Sequence, residues 1–220
     1  LFGPFIGGVL VTSFGFKLVF LIASITLILS AVVLFKSKEE HSSYHFSIRS
    51  VFNKDHWKNS IFFVSKGTMV IANGVVWPLF IFLILQSYIS LGIVGSIISG
   101  VSALLLFLVG KYSDHIKKRI IVKYITPFEA LSWFLKALIV TKGQVFAMTI
   151  IGALTHGVRE SPLGALEYDN AQGEIAAYFV SREVFICLGR ILLLMVVIMT
   201  DSLSGGLIFQ GFASFAALLF

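Results

Sequence analysis

The sequence predicts an all-α, polytopic membrane helical bundle, and three observations carry that prediction. Hydrophobic residues make up 57% of the 220-residue chain and charged ones 13%, a balance too apolar for a water-soluble domain. Apolar runs recur at residues 17–35, 61–85, 91–109, 120–140, 145–158, 178–200 and 203–220, with short polar breaks between them. Most are long enough to cross a hydrocarbon core of about 30 Å as helices. The basic residues, finally, alternate by connection. Residues 36–60 and 110–123 hold five Lys/Arg each, whereas the turns at 14–17, 86–90, 141–144 and 201–204 hold at most one. Basic residues beside helix ends resist translocation, so 36–60 and 110–123 are expected in the cytoplasm.

The same facts exclude other classes. The net charge of +6 sits in loops, as topology requires, and is no nucleic-acid footprint. One cysteine, Cys187, rules out a disulfide framework and a Cys-based metal site. The sequence holds no H-E-x-x-H, G-x-S-x-G, Walker or C-x-x-C pattern. His41 and His45 are four apart but in a polar loop, where solvation suffices. No enzyme, metal or cofactor is expected.

Taken in order, residues 1–13 read as the tail of a first helix, with Gly3-Pro4-x-x-Gly7-Gly8 allowing a neighbouring backbone to come close. Residues 14–17 form a tight turn into the span 17–35. The polar stretch 36–60 follows, and its part 46–57 has the makings of a short amphipathic surface helix. In 61–85, Lys66, Val70, Asn73 and Trp77 share one helical face, and Pro78 frees the Gly74 carbonyl at mid-membrane. Along 91–109 the small residues Gly92, Gly95, Ser96, Ser99, Gly100 and Ala103 form a packing seam. The next two spans are 120–140 and 145–158, the latter extending towards 166. A mixed-charge connection at 159–174, with Pro162, leads to the spans 178–200 and 203–220.

The basic loop has a pattern of its own. Gly110-Lys111-Tyr112-Ser113-Asp114-His115-Ile116-Lys117-Lys118-Arg119 reads G-x-x-S-D-x-x-K-K-R. It resembles the loop signature of the major facilitator superfamily of secondary transporters, and Gly3-Pro4-x-x-Gly7-Gly8 is similar to the end of the antiporter motif in that family's drug exporters. The resemblance implies a twelve-helix transporter, of which this chain is a fragment from the end of helix five to helix twelve. Residues 1–35 then close the N-terminal half, 36–60 link the halves, and 61–220 form the C-terminal six-helix half. It also implies gating by Gly110, Asp114, Lys118 and Arg119, with Asp114 pairing Arg159. Gly3, Pro4, Gly7 and Gly8 have two readings, plain helix packing and an exporter's motif.

Charges inside the bilayer need a reason, since one at its centre costs about 2.5–3.5 kcal/mol even on a lenient scale. Arg190 is the deepest, with Arg182 and Glu183 on nearly the same face; it serves either a structural ion pair or the transport pathway. His156 shares a face with Thr149, Gly152, Arg159 and Glu160. It is either a hydrogen-bonded interior residue or a carrier of the coupling proton. Thr126-Pro127-Phe128-Glu129 reads as a capping box after a proline break, which would satisfy Glu129 locally. Lys66 and Lys136, near helix ends, are expected to snorkel.

These readings converge on a secondary active transporter of a small solute, working by alternating access and coupled to a proton. Asn73, Trp77, His156, Glu183 and Arg190 are its expected solute and ion pathway. Export is favoured over uptake solely on Gly3-Pro4-x-x-Gly7-Gly8. The expected partners are the solute, a proton and the bilayer, with no nucleic acid. The expected state is a monomer in the plasma (inner) membrane. The rival reading is a scaffold or sensor that keeps the fold without transporting.

Overall fold

In a computed structural model the described residues are 2–36, 57–113, 118–171 and 175–220. They are almost wholly helical, with no strand among them. Helix α1 covers Gly3–Phe35 and is broken at Gly15, whose φ of 76° and ψ of 173° suit a residue without a side chain. This one residue is the break expected over 14–17. Helix α2 runs Trp57–Leu85, α3 Tyr88–Ser113, α4 Lys118–Lys136 and α5 Lys142–Asn170. Helix α6 spans Ile175–Thr200. Helix α7, Leu203–Ser214, ends in a 3₁₀ segment, Phe215–Leu219.

Local chemistry explains the boundaries. Gln86 takes a left-handed conformation (φ 52°) after α2, and Asp201 (φ 47°) does so after α6. Thr141 and Gln144 form a reciprocal capping box at the start of α5. Ser202 caps α7 through Gly205 N–H. Inside α2 the proline has a different effect from simple loss of a hydrogen bond. Residues Ala72–Val76 widen into a π-helical turn, and Trp77 N–H reaches the Ala72 carbonyl just before Pro78. The wider turn rotates Trp77 relative to the first half of α2.

Two sequence expectations are corrected. Helix α4 does not break at Thr126: Pro127 lies inside it, and the Thr126 hydroxyl donates back to the Val122 carbonyl at 2.7 Å. The side chain that was to cap a new helix instead satisfies its hydroxyl on the preceding turn of the continuing one. Nor do residues 159–170 belong to a connection. Helix α5 continues through Pro162 to Asn170, because Arg159 and Glu167 are buried with partners on other helices and Leu163 and Leu166 fill an apolar cluster.

Helix packing pairs α1 with α3, α2 with α6, α3 and α4 with α5, and α4 with α7. One apolar cluster gathers Phe62, Phe63, Val122, Leu163, Phe185 and Ile186. A second gathers Trp77, Ile81, Trp133, Val145, Leu193 and Leu207. Along α4 and α5 the buried Glu129 and Arg159 fall between the two. Large apolar side chains cover the outside, Leu27, Phe35, Phe107, Leu138 and Met199 among them. An apolar exterior around buried charge is the arrangement lipid demands.

Among the described residues four helices are long and apolar enough to cross a membrane: Gly3–Phe35, Trp57–Leu85, Tyr88–Lys111 and Ile175–Thr200. Helices α4 and α5 are less apolar for a specific reason. They carry Glu129, Lys136, Arg159 and Glu167, all turned inward.

Candidate solute and proton site

Helices α4 and α5 bring the central charges together. Glu129 is 1% exposed and Arg159 3%, and Arg159 Nε lies 2.5 Å from Glu129 Oε2. The contact is an ion pair by distance, although the Nε–H does not point at the carboxylate with hydrogen-bond alignment. Charge attraction holds it. The other end of the guanidinium donates from Nη2 to Met69 Sδ at 2.7 Å, which ties α2 to the pair. His156, one turn before Arg159 on α5, places Nδ1 3.9 Å from Glu129 Oε1, beyond a direct hydrogen bond.

Lys136, two turns beyond Glu129 on α4, is the second buried cation. Its ammonium sits 3.7 Å from the Trp133 ring centre and 5.1 Å from that of Trp77. Cation–π attraction of about 2 kcal/mol is typical of such desolvated contacts. The expected snorkelling is thereby corrected: Lys136 is 5% exposed, since two indoles on the inner face hold its stem and head. Gly152 permits the approach, because a methyl there would come within 2.9 Å of the ammonium nitrogen.

Around these groups lies a small polar pocket of about 20 Å³, walled by Asn73, Trp77, Glu129, Trp133, Lys136 and His156. It admits one water or one head-group atom or two. Asn73, Trp77 and Ile98 also line a much larger chamber of about 440 Å³ between the first part of α1, α2 and α3. That chamber is walled by Pro4, Val11, Phe16, Ile81, Leu91 and Val94, with Gly7 and Gly8 in its lining. Its size and apolar lining suit a small organic molecule.

At the other end of the bundle a second ionic group joins α2, α5 and α6. Glu167, 4% exposed, takes Lys66 on one oxygen and Arg182 Nε at 3.0 Å on the other. Glu160 stands 3.5 Å from Lys66 Nζ, and Glu183 2.7 Å from Arg182 Nη1. Lys66, expected to snorkel, is thus held inward by two carboxylates.

The chain matches the family model described as Major Facilitator Superfamily over residues 1–194. It belongs to that superfamily. The protein is therefore a multi-pass membrane transporter of the major facilitator type, built as an all-α helical bundle. Comparison with curated proteins and with solved structures gives no match.

Within this facilitator fold, the structure brings Asn73, Trp77 and His156 to one pocket. Glu183 and Arg190 do not line it: Glu183 is half exposed beside Arg182, and Arg190 Nε has no hydrogen-bond partner among the described residues. Asp114 lies outside the described residues, while Arg159, expected to meet it at the loop, pairs with Glu129 instead. Of the loop signature, Lys118 pairs with Asp169 at 2.8 Å and Arg119 is exposed. Gly110 comes near Ser161, with 3.5 Å between a built Cβ and its Oγ. Pro4 and Gly8 pack on α3: a methyl at Gly8 or Gly92 would meet backbone carbonyls at 2.5 Å, and one at Gly95 would meet the Pro4 ring. Gly3 and Gly7 face open space.

Sequence reasoning missed Glu129 and Lys136 as site residues. The usable signal was the cost of charge itself: both stand in 120–140, where neither has a local partner of opposite sign.

Proposed function

We propose that this transporter moves a small organic solute by alternating access and couples the movement to a proton. The chamber between α1, α2 and α3 takes the solute, and Glu129 with His156 takes the proton. One observation carries the reading. A buried carboxylate and an imidazole stand 3.9 Å apart at a pocket that shares Asn73 and Trp77 with the chamber.

The charge count supplies the mechanism. With Glu129 ionised, its charge offsets Arg159, and Lys136 remains the excess cation. Protonating Glu129 leaves Arg159 and Lys136 both uncompensated in a medium that penalises unpaired charge. The α4–α5 packing is then disfavoured, and the bundle moves to a state in which these cations find other partners. The Glu167 group, joining three helices at one end, acts as a latch that opens and closes with that change. Export is the proposed direction, supported by Pro4, Gly7 and Gly8 lining the chamber. The connections at 36–60 and 110–123 are proposed to face the cytoplasm, in line with their basic residues.

The test uses the protein in liposomes loaded with a pH-sensitive dye and offered a panel of small organic solutes. At least one solute should drive a proton movement that Glu129→Gln abolishes. Solute flux that proceeds without proton movement, and that ignores an imposed pH gradient, overturns the coupling.

A further inference from the structure

Resting on that transport reading and sharpening it, we infer that the solute is an organic anion, with its acceptor head on Lys136 and the two indoles and its apolar body in the chamber. The inference starts from donors that lack acceptors. Lys136 has no carboxylate within 4.0 Å among the described residues, and its ammonium rests on the Trp133 and Trp77 rings. Trp77 Nε1 and Trp133 Nε1 are buried donors with no hydrogen-bond partner among the described residues. Both tryptophans and Lys136 line the same pocket. An indole N–H and an ammonium only donate, so the group that satisfies all three must be an acceptor.

Charge selects within the acceptors. Glu129 lines the same pocket, and neither of its carboxylate oxygens has a hydrogen-bond partner among the described residues, but its charge is offset by that of Arg159. The remaining charge of the pocket is the ammonium of Lys136. A cationic solute would add like charge to it, and a neutral one would leave it unpaired. An anion removes both penalties.

Size divides the solute in two. The polar pocket, at about 20 Å³, takes the oxygen atoms of a head group at most, while the chamber of about 440 Å³ takes the rest of the molecule. Trp77 lines both and offers its ring to one part and its N–H to the other.

The experiment is a binding titration on the purified protein, read by intrinsic tryptophan fluorescence, because two of the three tryptophans flank the head-group pocket. The probes are phenylacetate, its neutral isostere phenylacetamide, and phenethylamine. Phenylacetate should bind at least tenfold more tightly than the amide, and the amine should not bind. Lys136→Gln should remove the preference for the anion, so that phenylacetate binds no more tightly than the amide, and an unfolding midpoint in detergent close to that of the parent protein reports that the variant is folded. Lys136→Arg should keep the preference. Equal binding of anion and amide, tightest binding of the amine, an unchanged preference in Lys136→Gln, or no binding by any probe overturns the inference. Flux separates this from the broader reading. An anion that binds but moves without regard to a pH gradient overturns the coupling alone; a pH-driven flux of the amine overturns the anion assignment alone.

Discussion

Glu129 and Arg159 meet at 2.5 Å in a region where neither side chain reaches solvent, and this contact joins α4 to α5 at the centre of the bundle. Breaking such a pair differs from replacing it. Arg159→Met alone leaves a buried carboxylate without its main counter-charge, and a loss of about 3–5 kcal/mol is typical of that defect. The double variant Glu129→Gln/Arg159→Met removes both charges and should recover more than half of the loss. Thermal unfolding of the four members of this cycle in detergent measures it. An additive cycle would mean that the contact carries no coupling.

Gly67 and Gly189 define a second relationship, between α2 and α6. A methyl built on either glycine runs into the other helix's backbone: the Ile186 carbonyl for Gly67, the Val64 carbonyl for Gly189. Such approach is how small residues hold helices together in lipid. Gly67→Ala or Gly189→Ala should destabilise the fold by about 1–3 kcal/mol, the usual cost of overpacking. Gly74→Ala, with nothing within 4 Å, should be close to neutral and serves as the control. Midpoints of thermal unfolding compare the three.

The helices and much of the site's geography were legible in the sequence, because both depend on periodicity along one helix. Asn73 and Trp77 share a face of α2, as do Thr149, Gly152 and His156 of α5, and one pocket receives all five. Pairings between helices were not legible, since periodicity gives each helix a face but not its rotation against a neighbour. Glu129 shows the consequence. Its nearest sequence partner, Thr126, made a plausible cap, but its charge partner stands on the next helix. Lys136 was misjudged by position, since proximity to a helix end says nothing about which way the stem turns. Of the small-residue seam on α3, Gly92 and Gly95 pack closely as expected, whereas Gly100 meets nothing within 4 Å and Ala103 is exposed; the tighter Gly67–Gly189 contact requires knowing that α2 and α6 touch.

Orientation is open to direct test. The basic connections predict that residues 36–60 and 110–123 face the cytoplasm while 86–90 and 141–144 face outward. The free Cys187 is exposed, so the background is Cys187→Ser. Single cysteines at Ser43, Ser113, Gln86 and Thr141 should then react with an impermeant maleimide, the first two from the cytoplasmic side and the last two from outside. Labelling of Ser113→Cys from outside would invert the bundle and with it the proposed direction of transport.

The last prediction isolates His156. Its Nδ1 is buried and has no hydrogen-bond partner among the described residues, with Glu129 Oε1 at 3.9 Å. The titratable or charged groups in its neighbourhood are Glu129 and Lys136 of α4 and Arg159 and Glu160 of α5. Among these, the buried carboxylate of Glu129 is the group that faces the imidazole, and the two form the proposed proton site. His156→Gln keeps the bulk and hydrogen-bonding capacity but removes one proton site. Exchange of solute across the membrane without a gradient should persist within about twofold, because the chamber is untouched. Uphill transport driven by a pH gradient should fall about tenfold or more, an effect of about 1.4 kcal/mol at the least. Glu129→Gln should abolish uphill transport altogether, since the carboxylate is the group whose charge Arg159 answers. Equal loss of exchange and of uphill flux in His156→Gln would assign the residue to solute passage and leave the proton to Glu129 alone.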